Sequence, residues 1–336
     1  MTHEFKSIID QAIQWQQDDK TSVLATVVDL KGSSYRRPGV RMLLNENGEA
    51  VGAVSGGCVE KEIHVQAMSV FKDGRSKMMT YDGRLRLGCE GVIYVLIEPF
   101  ELSDELHGAF TKAIQNRNPM EIQSQYKKEY GVFEHIGSSI VINNNTYLFN
   151  GLVKEDDGLL QFKQVLPPVF RLVIIGAEHD AVQLSKMASH LGWDVTVMAS
   201  ADEAKTIDYF KGASRLLTPL YNQIDTTSID HETAIVLMTH SFNKDVQYLM
   251  ALKDVKPAYF GLLGPKHRRE RLIEKLIEFD PHIDFDFINQ LRGPAGINIG
   301  AESAQEIAIS IISEILSVVR NQNPIVLKDK PGTIHA

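Results

Sequence analysis

From residue 171 onward the sequence repeats one pattern, and that pattern narrows the possible folds more than any other feature. A short apolar run ends at a glycine or a small residue, and a stretch with helical spacing follows it. RLVIIGAEH begins at Arg171, residues 180–191 read as a helix ended by Gly192, and Trp193–Met198 reads as the next strand. AIVLMTHS and PAYFGLLG are later strands with His240 and Gly264 at their carboxyl ends. HRRERLIEKLIEF is a helix, and the stretch from 302 to 320 is an amphipathic helix with many apolar positions. Strands that alternate with helices pair in parallel, because each return to the sheet needs a crossover. Residues 167–336 are therefore expected to form a Rossmann-like, doubly wound parallel-sheet domain, entered at Pro167-Pro168.

The first half reads differently, and the 336 residues suit about two domains. Residues 5–17 carry apolar side chains at helical spacing, and TSVLATVVDL is a strand rich in β-branched residues. KGSSYRRPG is a loop. Residues 40–44 and 50–54 form a hairpin-like pair around Asn45 to Gly48. SGGC precedes a helix over 59–72, a strand lies near 77–81, and VIYVLIEP after LGCEG is a buried strand stopped by Pro99. Residues 101–118 look helical, and 120–165 alternate apolar runs with turn signals, as β strands do. The fold class expected is α/β, with an N-terminal α+β domain over 1–166 ahead of the parallel-sheet domain.

Charge and cysteine content exclude several functions. The net charge of −8 argues against general nucleic-acid binding, which needs a basic face. Two basic clusters, Lys31/Arg36/Arg37/Arg41 and Lys266/His267/Arg268/Arg269/Arg271, each suit either a small anion or a solvated surface. Only Cys58 and Cys89 occur, so no disulfide framework is expected, and neither has the short-spaced partners of a structural zinc site. The thiols are either inert or reactive. No run approaches the ~20 apolar residues of a membrane helix, and the acidic N-terminus does not resemble a secretory signal; a cytoplasmic location is expected.

The dinucleotide fingerprint is defective. Gly176-Ala177-Glu178-His179-Asp180-Ala181 keeps the first glycine and the final small residue of G-x-G-x-x-G/A, but Glu178 stands where the backbone must touch a pyrophosphate. No acid ends the second strand to hold ribose hydroxyls; Asp202 and Glu203 come late. Weak or absent NAD(H) binding is expected, and an NAD(P)-dependent oxidoreductase is the alternative reading.

Three stretches in the first half, ATVVDLKGSSYRRPGVRMLL, GAVSGGCVEKEI and LGCEGVIYVLIEP, carry a resemblance. So do VIIGAEH, LMTHSFNKDVQYL, YFGLLGPKHRRERL and GPAGINIGAESAQEIAISIISEI in the second. Together they resemble the xanthine dehydrogenase accessory family, XdhC/CoxI. The departures are Glu178 and GPAG at 293–296. The resemblance implies a chaperone more than a catalyst. It implies binding of the molybdenum cofactor, support of its sulfuration by a cysteine desulfurase, and delivery to an apo molybdenum hydroxylase of the xanthine-dehydrogenase type.

Molybdopterin offers a terminal phosphate, a polar pterin edge and a soft molybdenum–dithiolene centre. Ser33, Ser34, Arg36 and Arg37 suit the phosphate through hydroxyls, exposed amides and guanidinium forks. Gly56 and Gly57 lead into Cys58 at a helix start, where the dipole favours thiolate and hence a molybdenum contact, while Glu60 and Glu62 oppose it. Cys89 lies between glycines that permit close approach. His240 ends a strand where open α/β sheets bind ligands, and equally suits a loop cap. No catalytic residue is assigned. The apolar 302–320 helix suggests a homodimer.

Overall fold

The computed structural model describes residues 1–32, 37–83, 91–151, 156 and 158–331. The chain forms two compact units, Met1–Pro168 and Val169–Ala336.

In the first unit α1 (Thr2–Gln17) leads into β1 (Ser22–Lys31), followed by β2 (Arg41–Asn45) and β3 (Ala50–Gly52). The β2–β3 turn forms because Asn45 Oδ1 accepts from the amides of Asn47 and Glu49, both at 3.0 Å, and Gly48 takes a left-handed φ of 84°. Then come α2 (Cys58–Asp73), β4 (Lys77–Asp82), β5 (Val92–Pro99) and α3 (Asp104–Gln115). The helix expected over 101–118 starts later because Ser103 caps it, its hydroxyl accepting from Leu106 N at 3.1 Å. β6 (Met120–Tyr126), β7 (Gly131–Val132), β8 (Gly137–Ile142), β9 (Asn145–Leu148) and β10 (Leu160–Leu166) complete the unit.

These strands form two sheets, of order β3-β2-β1-β5-β4-β7 and β10-β6-β8-β9. The strand period of two divides β1 between two cores. Val23, Ala25 and Val27 join Val59, Ile63, Ala67 and Val70 of α2. Leu24 points the other way, into a cluster with Phe5 and Ile9 of α1, Phe110 of α3, and Ile122 and Ile140 of β6 and β8. α2 is thereby packed on β1, β4 and β5, which fixes the position of its first residue, Cys58.

The second unit contains β11 (Arg171–Ile175), α4 (His179–His190), β12 (Asp194–Met198), β13 (Arg215–Leu217), β14 (Thr233–Leu237) and α5 (Phe242–Ala251). β15 (Tyr259–Leu262), α6 (Lys266–Phe279), α7 (Phe285–Gln290), β16 (Leu291–Arg292) and α8 (Ala304–Val319) follow. All six strands are parallel, in the order β13-β12-β11-β14-β15-β16. This is a Rossmann-like doubly wound sheet whose switch point lies between β11 and β14. Leu184 and Ala188 of α4 and Ile311 and Ile315 of α8 cover one face; Val246, Leu249 and Leu272 of α5 and α6 cover the other. The apolar stripe of α8 is thus buried inside its own unit against α4 and β15. Ile309 and Val319 of the same helix remain exposed.

Candidate functional site

In the first unit the candidate site is the turn that launches α2. Gly57 is the residue before the helix and has φ of +113°, which a side chain would strain. Gly56 has an ordinary φ, and a Cβ built on it meets nothing within 4 Å. Among the described residues, packing does not require glycine at 56, and none of them fills the space beside it. Cys58 is exposed. The first backbone bond of the helix runs from Lys61 N to Gly57 O at 3.3 Å, so the amides of Cys58 and Val59 precede the ladder and leave the positive dipole end beside the thiol.

Glu60 organises this turn. One carboxylate oxygen accepts from Val54 N at 3.1 Å and Ser55 N at 2.5 Å; the other accepts from Gly57 N at 2.7 Å and Ser55 Oγ at 3.0 Å. Partial burial pushes its carboxyl up, but the bonds from the Ser55 and Gly57 amides and the Ser55 hydroxyl outweigh this and hold it below the usual range. Three amides that an incoming anion would use are therefore already taken by a carboxylate. By sequence Glu60 stands only as a charge opposing the thiolate. Its spacing three residues after Gly57, the capping-box interval, is the signal for its structural role.

The other expectations for this unit divide. Ser33, Ser34, Arg36 and Cys89 lie outside the described residues. Arg37 is exposed. Arg41 departs from the solvated-surface alternative for its cluster. It opens β2, is buried, and gives its Nη1 protons to Gly39 O at 2.9 Å and to Gln164 Oε1. Its strand alternation puts it in the same interior as Leu43. Among the described residues no group of three or more His, Cys, Asp or Glu side chains is placed to hold a metal ion.

In the second unit the turn after β11 has a clear packing logic. A Cβ on Gly176 would stand 2.5 Å from Met238 O, so the end of β14 requires glycine there, and Ala181 in the first turn of α4 is fully buried. Glu178 immediately precedes α4 at its N-cap, makes no capping bond, and has Lys205 Nζ 4.0 Å away. Beyond β12, Lys244 Nζ donates to Ser200 Oγ at 2.8 Å and stands 3.5 Å from Asp202. His240 follows β14 with a left-handed φ of 56°, and its Nε2 lies 3.4 Å from Asp180 Oδ2. That pairing crosses the switch point; nothing in the spacing of the two residues points to Asp180 as the partner.

The second basic cluster is largely committed to the protein itself. Arg268 bonds Asp245 at 2.6 Å, Arg269 bonds the carbonyls of Leu291 and Ile288, Lys266 lies 3.7 Å from Glu270, and Arg271 stacks over Phe242. The Arg268 stem also fills the space where a Cβ on Gly264 would point. Arg268, Arg269 and Arg271 thus answer a buried carboxylate, backbone carbonyls and an aromatic face, while Lys266 pairs at the surface with Glu270.

The likeness to known proteins spans both units. Residues 15–82 match the model of the XdhC and CoxI family, and residues 172–315 match that of the XdhC Rossmann domain. The chain is 28% identical over 335 residues to a protein of Bacillus subtilis (strain 168) whose name makes it a probable xanthine dehydrogenase subunit, covering 93% of this chain and 96% of that one. It is 24% identical over 327 residues to the molybdenum cofactor insertion chaperone PaoD of Escherichia coli (strain K12), covering 96% and 91%. A crystal structure described as a xanthine dehydrogenase from Bacillus halodurans is similar with a TM-score of 0.77 and 25% identity, over 96% of this chain and 98% of that one.

Proposed function

The chain belongs to the XdhC and CoxI family, and we propose that it binds the molybdenum cofactor as cargo and inserts it into a xanthine-dehydrogenase-type molybdenum hydroxylase. In this reading the cofactor is sulfurated while it is held, with sulfur supplied by a cysteine desulfurase, and the apo-hydroxylase is the recipient. The name of PaoD supports the class of function. The observation that carries the residue assignment is the exposed Cys58 thiol at the head of α2, beside the space at Gly56 that none of the described residues fills. A thiolate there presents a soft ligand to molybdenum or an acceptor for sulfur. Arg37, with Ser33, Ser34 and Arg36 before it, is assigned to the cofactor's phosphate, and Cys89 to the same ligand. His240 is assigned to a ligand of the second unit. The test is reconstitution: the chain loaded with cofactor should activate apo-hydroxylase, and Cys58→Ala should activate it poorly while remaining folded. Full activation by the variant overturns the assignment.

The strand order of the second unit favours one alternative, an NAD(P)-dependent oxidoreductase. The environment of Glu178 weighs against it. A phosphate at the N-terminus of α4 gains ~0.3–1 kcal/mol from the dipole, up to about 2 when partly buried. A carboxylate about 4 Å from a phosphate charge costs ~1–4 kcal/mol at surface-like to intermediate dielectric, so Glu178 offsets the gain to the extent that Lys205, 4.0 Å away, leaves its charge uncompensated.

A further inference from the structure

The interior of the first unit holds a guanidinium with one edge unused. Arg41 is 7% exposed, and its Nη1 is satisfied by Gly39 O and Gln164 Oε1. Its Nε and Nη2 have no partner among the described residues. Those two nitrogens form the edge with parallel N–H bonds, the edge that grips oxyanions in two-pronged fashion. Directly opposite Arg41 in the β1–β2 register stands Thr26, 0% exposed, whose hydroxyl also lacks a partner among them. Cross-strand partners project to the same face, so both unpartnered groups lie on one side of the sheet. The Phe5 ring, 5.5 Å from the guanidinium carbon, closes one side. We infer that Arg41 and Thr26 enclose a binding site for one small monoanion, of halide to formate size.

Both orphans need an acceptor, and a buried polar group left without one is rare. Charge selects an anion over a neutral acceptor. Among the described residues no carboxylate pairs directly with Arg41. The buried acid that shares its field is Glu98, whose oxygens are taken by Ser138 N at 2.7 Å, Ser138 Oγ at 2.6 Å and Asn150 Nδ2 at 3.1 Å. Burial pushes Glu98 up to about 7, so near neutral pH it cancels only part of the Arg41 charge; Arg41, lowered by burial to about 10, remains a cation. Arg41 also holds Gly39, whose amide donates to Val27 O at 2.7 Å, so a bound anion would steady the chain where it re-enters β2. This site is independent of the cofactor reading.

The experiment uses the full chain. Thermal unfolding midpoints are measured against sodium chloride, bromide and formate at constant ionic strength, with gluconate, a bulky polyhydroxy anion, as the balancing salt. The expected result is a saturable rise of several degrees. The isosteric Thr26→Val should weaken the apparent affinity at least threefold, and Arg41→Met should abolish the response. If Arg41→Met does not fold, Thr26→Val alone decides. Crystals grown in bromide should show an anomalous peak in hydrogen-bond reach of Arg41 Nη2, and formate arms separate a planar anion from a halide. A water peak without anomalous signal, or an equal salt response in wild type and Thr26→Val, overturns the inference.

Discussion

Replacing Glu60 by Ala should unfasten the turn that presents Cys58. The carboxylate receives four hydrogen bonds, from three amides and one hydroxyl within residues 54–57. A lost helix cap costs about 0.5–2 kcal/mol, and a hydrogen bond to a charged group is worth about 1.5–3. These bonds share one carboxylate, and the group is partly open to water, so they do not add and are screened. A loss of about 2 kcal/mol is the working figure, close to a thirtyfold change in the local opening equilibrium. Urea unfolding should show the stability loss at an unchanged m-value. Amide exchange should quicken about thirtyfold at Ser55 and Gly57, with smaller changes in β1 and β5. A stability loss below about 0.5 kcal/mol with unaltered exchange at Ser55 and Gly57 would refute the claim that Glu60 shapes the turn.

Three further outcomes are expected. Glu98 is held near 7 by burial, offset in part by its Ser138 bonds and Arg41; its folded value lies above its unfolded one, so the native state holds the extra proton and stability falls as pH rises from 4.5 to 7. The slope is about 1.4 kcal/mol per pH unit, and Glu98→Gln should flatten it in denaturant titrations run from pH 5 to 7.5. Wild-type chain should bind NAD(H) weakly or not at all by calorimetry, and Glu178→Gly should raise the affinity more than any change at His240; micromolar wild-type binding contradicts this. Replacing Arg36 and Arg37 together by Ala should weaken cofactor binding more than threefold in a fluorescence titration, since charge-assisted bonds give about 1.5–3 kcal/mol against ~0.2–1 for an exposed pair.

The parallel unit was legible because its strands are buried on both faces and its helices have a steady period: β11, β14 and β15 are apolar at nearly every position. β13 and β16, with three and two residues, are too short to show a period. In the first unit the alternation of β6 was readable, but its assignment to a second sheet depends on long-range pairing with β8 and β10. Arg41 was left between a small-anion site and a solvated surface because it stands near other cations in sequence, while its position in β2 turns it inward. The Cys58 turn was visible as glycines before a helix; the use of its amides by Glu60 was not, because a carboxylate three residues away reads equally as a solvated helix face.

Anaerobic titration of molybdopterin into the wild-type chain and into Cys58→Ala tests the central claim most directly. The account predicts saturable binding by the wild type and at least tenfold weaker binding, or loss of the molybdenum–thiolate absorption, in the variant with an unchanged circular dichroism spectrum. Equal affinity and equal spectra in the two proteins would contradict it and remove Cys58 from the cofactor site.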